Sequence, residues 1–392
     1  MRPEDVIADK RRPYTGAEYI QSLRDGREVY IDGERVADVT THPAFRNSVR
    51  SIARLYDALH DPKRRDTLTC ATDTGSGGYT HKYFRVPRSR EDMIGAQGAI
   101  AEWSRLTYGW MGRTPDYKAA FSNTLGANAE YYGPYAGNAL AWYRRAQETM
   151  PFMNHAIVNP PIDRHKPAEE TKDVFVCVQK EVDGGIIVSG AKVVATSAAM
   201  THYNFMGQSS KTETEDLDMS LMFLVPIDAP GLKLFCRTSY EQAAQSRGPF
   251  DYPLSSRFDE NDAIFVMDKV FIPWEDVFIY RDPARVLSFF GRSGFIDGAQ
   301  FQGCTRFAVK LDFIVGLLAK ALRCTGGDEA RGNQVLLGEA VAWRNLFWSL
   351  SNAMAHNPTP WNGDAVLPDR KAGQAYRVFA PDAYPRIKDI IE

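Results

Sequence analysis

Residues 173–197 read DVFVCVQKEVDGGIIVSGAKVVATS, and this stretch decides the fold. β-Branched residues recur on both sides of Asp183-Gly184, a dipeptide that closes two-residue hairpins because such turns need a left-handed backbone at their centre. The same texture continues in LMFLVPI (221–227), LKLFCR (232–237) and AIFVMDKVFIPWEDVFI (263–279), each bounded by Pro, Gly or Asp. Short strands at this spacing predict a compact β domain of sandwich or barrel type over residues 146–285.

Towards the N-terminus the period changes from two to that of a helix. THPAFRNSVRSIARLYDALH (41–60) carries a capping threonine, an early proline and Val49, Ile52, Tyr56 and Leu59 at helical spacing. Ser89 with Asp92 opens a second helix, and two more helical stretches follow Pro115. The glycines of TDTGSGGYTHKYFRV (72–86) lack the spacing and context of a phosphate loop and mark a turn between short extended pieces. Residues 1–145 are thus expected to form an all-helical domain. Beyond residue 285 helices return in RFAVKLDFIVGLLAKALR (306–323) and QVLLGEAVAWRNLFWSLSNAMA (334–355), apolar enough for a bundle or a subunit interface. A helix starting in YPRIKDIIE ends the chain, so the 286–392 bundle is read as incomplete. The fold class expected is multidomain α+β, in the order helices, strands, helices.

With 392 residues, 44% of them hydrophobic, the chain has ample material for a core. Its net charge of -2 and the absence of like-charge runs argue against a nucleic-acid or polybasic membrane surface. The first residues lack the apolar stretch of a signal peptide and no apolar run has membrane length, so a cytoplasmic protein is expected. Five scattered cysteines without CxxC spacing suit reduced thiols and point to no metal site.

Chemistry concentrates in MNHAIVNPPIDRH (153–165). Pro160 and Pro161 fix an extended backbone, His155 exchanges a proton near neutrality, and Arg164 offers a planar fork suited to phosphate. Residue types alone leave a second reading open: a proline turn with a satisfied histidine.

The motifs MGRTPDY (111–117), NHAIVNPPIDRH (154–165), SGAKVVATS (189–197) and DYPLSSRFDENDAI (251–264), with residues 14–46, resemble the oxygenase components of the 4-hydroxyphenylacetate 3-monooxygenase family. These are two-component, flavin-dependent phenol hydroxylases with an acyl-CoA dehydrogenase-like fold, and the resemblance spans the chain. It implies ortho-hydroxylation of a phenol, 4-hydroxyphenylacetate foremost, by reduced FAD and O2 through a flavin C4a-hydroperoxide. It further implies a separate NAD(P)H:flavin reductase and a homotetramer.

By the same resemblance, Arg113, Tyr117 and His155 hold the phenolic oxygen and are the catalytic set. Arg113 would supply charge, Tyr117 a hydrogen bond, and His155 a donor that also takes the proton. His155, Ala156, Ile157, Pro161, Ile162, Asp163, Arg164 and Thr196 are expected at the flavin. Gln208, Ser209 and Ser210, in FMGQSSKTETEDLD (205–218), are expected to meet a substrate carboxylate. The alternatives are a related monooxygenase for a halophenol, nitrophenol or coumarate-like phenol, and a flavin-binding interaction protein with a degenerate site. A dehydratase of the same fold would need iron–sulfur cysteines, and no cysteine lies between Cys70 and Cys177.

Overall fold

The computed structural model describes residues 2–162, 167–208 and 216–392. Strands β1 (Glu28–Ile31), β2 (Glu34–Val36), β3 (Thr69–Ala71) and β4 (Tyr79–His81) precede the central region. There follow β5 (Met153–Ala156), β6 (Cys177–Val182), β7 (Gly185–Thr196), β8 (Tyr203–Met206), β9 (Leu221–Pro226), β10 (Leu232–Cys236), β11 (Asp262–Pro273) and β12 (Val277–Tyr280). A six-stranded sheet has the order β2-β1-β10-β11-β7-β6 and a four-stranded sheet the order β12-β9-β8-β5. The hairpin read from the sequence is β6–β7, with Val182 opposite Gly185 across Asp183-Gly184. Ile186 and Val188 of β7, Phe265 of β11 and Leu234 of β10 are fully buried, as the alternation requires.

The expectation that residues 1–145 are all helical is corrected here. EVYIDGERV folds into the hairpin β1–β2, and β1 lies parallel to β10, with Glu28 opposite Lys233, so the first part of the chain adds two strands to the six-stranded sheet. The cause is the same dipeptide signal. Asp32 and Gly33 have φ of +50° and +84°, left-handed at both central positions of the turn. A matched pair of substitutions checks this: Gly33→Ala is expected to cost about 1 kcal/mol in chemical denaturation. Gly26→Ala, where φ is not positive and the added methyl likewise meets nothing within 4 Å, is expected to cost nothing measurable.

Among the longer helices are Arg46–Ala58, Arg90–Arg105, Ala119–Ala127 and Ala136–Thr149 before β5, and Pro283–Arg292, Phe295–Thr325, Arg331–His356 and Arg370–Ile391 after β12. Helical and β stretches share one continuous buried core, with members from Ile7 to Ile387. Trp103 Nε1 donates to Leu55 O at 2.8 Å and Tyr83 Oη to Gly298 O at 2.7 Å, so polar atoms inside that core pair across elements. No helix among the described residues is long and apolar enough to cross a membrane.

Candidate active site

The site is built where the turn 109–117, strand β5 and the helix Phe295–Thr325 meet. Gly109, with φ +68°, lets the turn press onto that helix. A Cβ there would lie 2.5 Å from Lys310 N, and Arg306 Nη1 donates to Gly109 O at 2.8 Å. Three residues on, Glu260 clamps the backbone, its carboxylate accepting from the N–H of Gly112 at 2.7 Å and of Arg113 at 2.5 Å. Thr114 Oγ1 donates to Asp116 Oδ1 at 2.5 Å, and Pro115 opens the short turn Pro115–Tyr117. Arg113 and Tyr117 are therefore held by backbone contacts before any ligand arrives.

Their side chains converge with His155. The Arg113 guanidinium carbon lies 4.2 Å from the centre of the Tyr117 ring, and the His155 ring centre is 5.8 Å from that of Tyr117. Phe295 presents an edge to His155 at 6.4 Å. Arg113 Nε and His155 Nδ1 are buried and have no hydrogen-bond partner among the described residues, although buried polar atoms are ordinarily satisfied. A cavity of about 240 Å³ opens beside Arg113 and Tyr117, its walls also including Gln302, Arg306 and Tyr376, with His155 behind the Tyr117 side and not in the wall itself. Burial, then the charges of Lys118 and Arg113, hold His155 well below the usual histidine range, so the resting imidazole is neutral. Burial pushes the Asp116 carboxyl up to about 6 and raises that of Glu260 against the pull of its two N–H bonds.

The residues expected at a flavin that the structure describes fall on β5, on the chain that leaves it and at the end of β7. Ala156 is buried on β5, Gly207 N donates to Ala156 O at 3.1 Å, and Val193 N donates to Val158 O at 2.8 Å, so the chain after β5 runs along β7. Thr196 ends β7; its Oγ1 donates to Asp262 Oδ1 at 2.6 Å and its carbonyl accepts from Asn154 Nδ2 at 3.3 Å, tying it to the strand that carries His155. Val158 and Val194 are 53% and 55% exposed, and Val194 holds φ +58° at a bulge of β7. A β-branched residue in the left-handed region is strained, and such strain gathers at functional sites. Bare apolar side chains, extended backbone and a hydroxyl suit a flat isoalloxazine, so the residues present fit the cofactor. Ile162 packs towards Phe175, Cys177 and Met219, and Pro161 is exposed. Asp163, Arg164, Ser209 and Ser210 lie outside the described residues.

Gln208 does not join the site. It is fully buried, its Nε2 donates to Val176 O at 3.1 Å and Met219 O at 2.9 Å, and its Oε1 accepts from Lys192 Nζ at 2.5 Å. Every amide atom is spent on the scaffold, which corrects the expectation that it meets a substrate carboxylate. Lys192 also donates to Ile157 O at 3.2 Å and Asn159 Oδ1 at 2.6 Å, fixing the backbone that leaves β5. Sequence reasoning missed Lys118, Lys192 and Glu260. Glu260 stood inside a quoted motif, but one carboxylate among Asp259, Glu260 and Asp262 carries no spacing that marks it.

Residues 15–279 match the model of the 4-hydroxyphenylacetate 3-hydroxylase N-terminal region, and residues 286–392 match that of its C-terminal region. This chain belongs to the 4-hydroxyphenylacetate 3-hydroxylase family. The 4-hydroxyphenylacetate 3-monooxygenase oxygenase component of Pseudomonas aeruginosa is 62% identical over 394 residues, covering 100% of this chain and 76% of that protein. The 4-nitrophenol 2-monooxygenase oxygenase component of a Rhodococcus species is 56% identical over 391 residues, covering 100% of this chain and 74% of that one. Among solved structures, the oxygenase component HpaB complexed with FAD and 4-hydroxyphenylacetate superposes with a TM-score of 0.89 at 31% identity, covering 96% of this chain and 78% of that one. The break between the two hydroxylase-family models falls between β12 and the helix Pro283–Arg292.

Proposed function

We propose that this chain is the oxygenase component of a 4-hydroxyphenylacetate 3-monooxygenase, converting the phenol to its ortho-catechol with O2 and reduced FAD delivered by a separate reductase. The observation that carries the reading is the convergence of Arg113, Tyr117 and His155, with two unpaired buried nitrogens among the described residues and a ring-sized cavity walled by Arg113 and Tyr117, in a chain 62% identical to such a component. Reduced flavin with O2 supplies an electrophilic oxygen atom. The chain's own part is electrostatic. A phenolate ring is far richer in electrons at its ortho carbon than the phenol, so the site has to draw off the hydroxyl proton and hold the oxyanion. Neutral His155 receives the proton, Arg113 stands opposite the oxygen with its charge, and Tyr117 donates a hydrogen bond. Phe295 packs against His155 and is buried, which keeps water from that ring, where such interactions are strongest. Of the flavin residues, His155, Ala156, Ile157, Pro161, Ile162 and Thr196 would border the cofactor, with Asp163 and Arg164 assigned by family likeness alone.

Product analysis tests the reading. Chemically reduced FAD, oxygen and 4-hydroxyphenylacetate should give 3,4-dihydroxyphenylacetate, whereas NADH in place of reduced FAD should give none, since the sequence has no G-x-G-x-x-G unit after a strand. Absence of catechol with reduced FAD would overturn it. A second reading, a related monooxygenase for another phenol, is favoured by the 56% identity to the 4-nitrophenol enzyme. Turnover of a panel of para-substituted phenols separates the two.

A division at residue 285 and a homotetramer belong to the same proposal. The tetramer is supported by apolar side chains left exposed on the last three helices, among them Leu317, Val335, Val378 and Phe379 at 41–64%. Light scattering is expected to return a multiple of the 44.0 kDa chain mass. A stable monomer at micromolar concentration would overturn it.

A further inference from the structure

Lys118 is 1% exposed, and its Nζ has no hydrogen-bond partner among the described residues. Its side-chain nitrogen lies instead over three aromatic rings, 4.4 Å from the centre of Phe295, 5.1 Å from Tyr117 and 5.8 Å from Phe205. It also stands at the N-terminus of the helix Ala119–Ala127, where the backbone dipole opposes positive charge. Glu260 and Asp297 are committed elsewhere, and Asp116 is bonded through Oδ1 only, its Oδ2 having no hydrogen-bond partner among the described residues. Asp116 accepts from Thr114, Glu260 from the N–H groups of Gly112 and Arg113, and Asp297 takes both prongs of Arg370 at 2.8 Å. The charged groups that act on His155 are Lys118 and Arg113, and the one that acts on Lys118 is Arg113. A lysine kept under these conditions costs stability that a methionine of similar length would not, and such local violations mark functional positions.

We propose that Lys118 is a positioning residue of the phenol site: held by three rings beside Tyr117 and His155, its amine adds a second positive field to that of Arg113 once the phenol ionises, and so favours the phenolate form of the bound phenol. The inference rests on the phenol hydroxylase reading above. In the step, the phenolic O–H bond breaks, the proton passes to a ring nitrogen of His155, and the electron pair stays on the oxygen as phenolate. Burial and Arg113 hold the Lys118 amine well below its usual range, so it takes up its charge when an anion forms beside it, and the phenolate is that anion. Lys118 touches no reacting atom in this account; it acts through the field at the phenol oxygen, where its gain has to exceed the opposition that the same charge presents to a protonated His155.

The test uses 4-nitrophenol, whose phenolate absorbs in the visible, bound to the flavin-loaded protein and titrated with pH as difference spectra against the same protein without it. Lys118→Met is expected to raise the midpoint of phenolate formation by about one pH unit, a tenfold change in the ionisation constant, while melting no lower than the unaltered protein. Lys118→Arg, which keeps the charge, is expected to hold the original midpoint. An unmoved midpoint in Lys118→Met, with Arg113→Met shifted upwards, overturns the role of Lys118 and leaves the phenol site standing. Equal shifts in Lys118→Met and Lys118→Arg overturn it as well, because packing and not charge would then be responsible. A midpoint unmoved in all the variants, Arg113→Met included, overturns the phenol site itself and the inference with it.

Discussion

Arg113→Ala is expected to lower catechol formation by a hundredfold or more while oxygen is still consumed. The guanidinium is half of a two-part arrangement whose other half, the phenolate, exists only during the reaction. Its Nε is buried and unpaired among the described residues, and its backbone N–H is pinned by Glu260, so the charge waits in place. Removing a preorganised charge aimed at a developing oxyanion costs roughly 2.7–4 kcal/mol, which is about a hundredfold to a thousandfold in rate. Nothing in that loss touches the encounter of reduced flavin with oxygen, so the two electrons should leave as hydrogen peroxide. His155→Ala should act in the same direction through the lost proton acceptor. An oxygen electrode read beside chromatographic catechol yield measures the coupling; if Arg113→Ala keeps near-normal coupling, another group holds the phenol.

The fold was legible where local signals were strong. Asp183-Gly184 announced β6–β7, and apolar texture announced the helices after residue 285, because turn chemistry and periodicity act within a few residues. The strand pair β1–β2 was overlooked although Asp32-Gly33 carries the same signal, since four residues of β1 are too few to outweigh helical neighbours; what stabilises them is a partner, β10, two hundred positions away. The site divides in the same way. Arg113, Tyr117 and His155 came from motif resemblance, and the structure brings their side chains together. Gln208 failed because its amide is consumed by Val176, Met219 and Lys192, three contacts that no spacing foretells. Lys118 was invisible for a different reason. A lysine after a tyrosine reads as solvated surface, and only the packing of Phe205 and Phe295 over it from a strand and a distant helix makes it a buried charge.

Glu260 is the other residue whose loss should be felt in both fold and rate. Its carboxylate accepts from two consecutive N–H groups, those of Gly112 and Arg113, and it neutralises part of the charge of Arg113 and Arg306. Glu260→Ala leaves two donors without an acceptor, at a cost of about 1–3 kcal/mol each where water does not replace the carboxylate. The turn should then drift, and a displacement near 1 Å of the group that meets the phenol oxygen is worth about a hundredfold in turnover. Glu260→Gln should fall between. Its amide keeps one accepting oxygen but turns an NH2 group towards the second N–H, so one bond survives and one contact becomes donor against donor. The expected order, in catechol turnover and in thermal melting alike, is glutamate, then glutamine, then alanine. Steady-state turnover beside melting curves decides it: Glu260→Ala working within twofold of the unaltered protein would mean that the 112–113 backbone holds its place without the clamp.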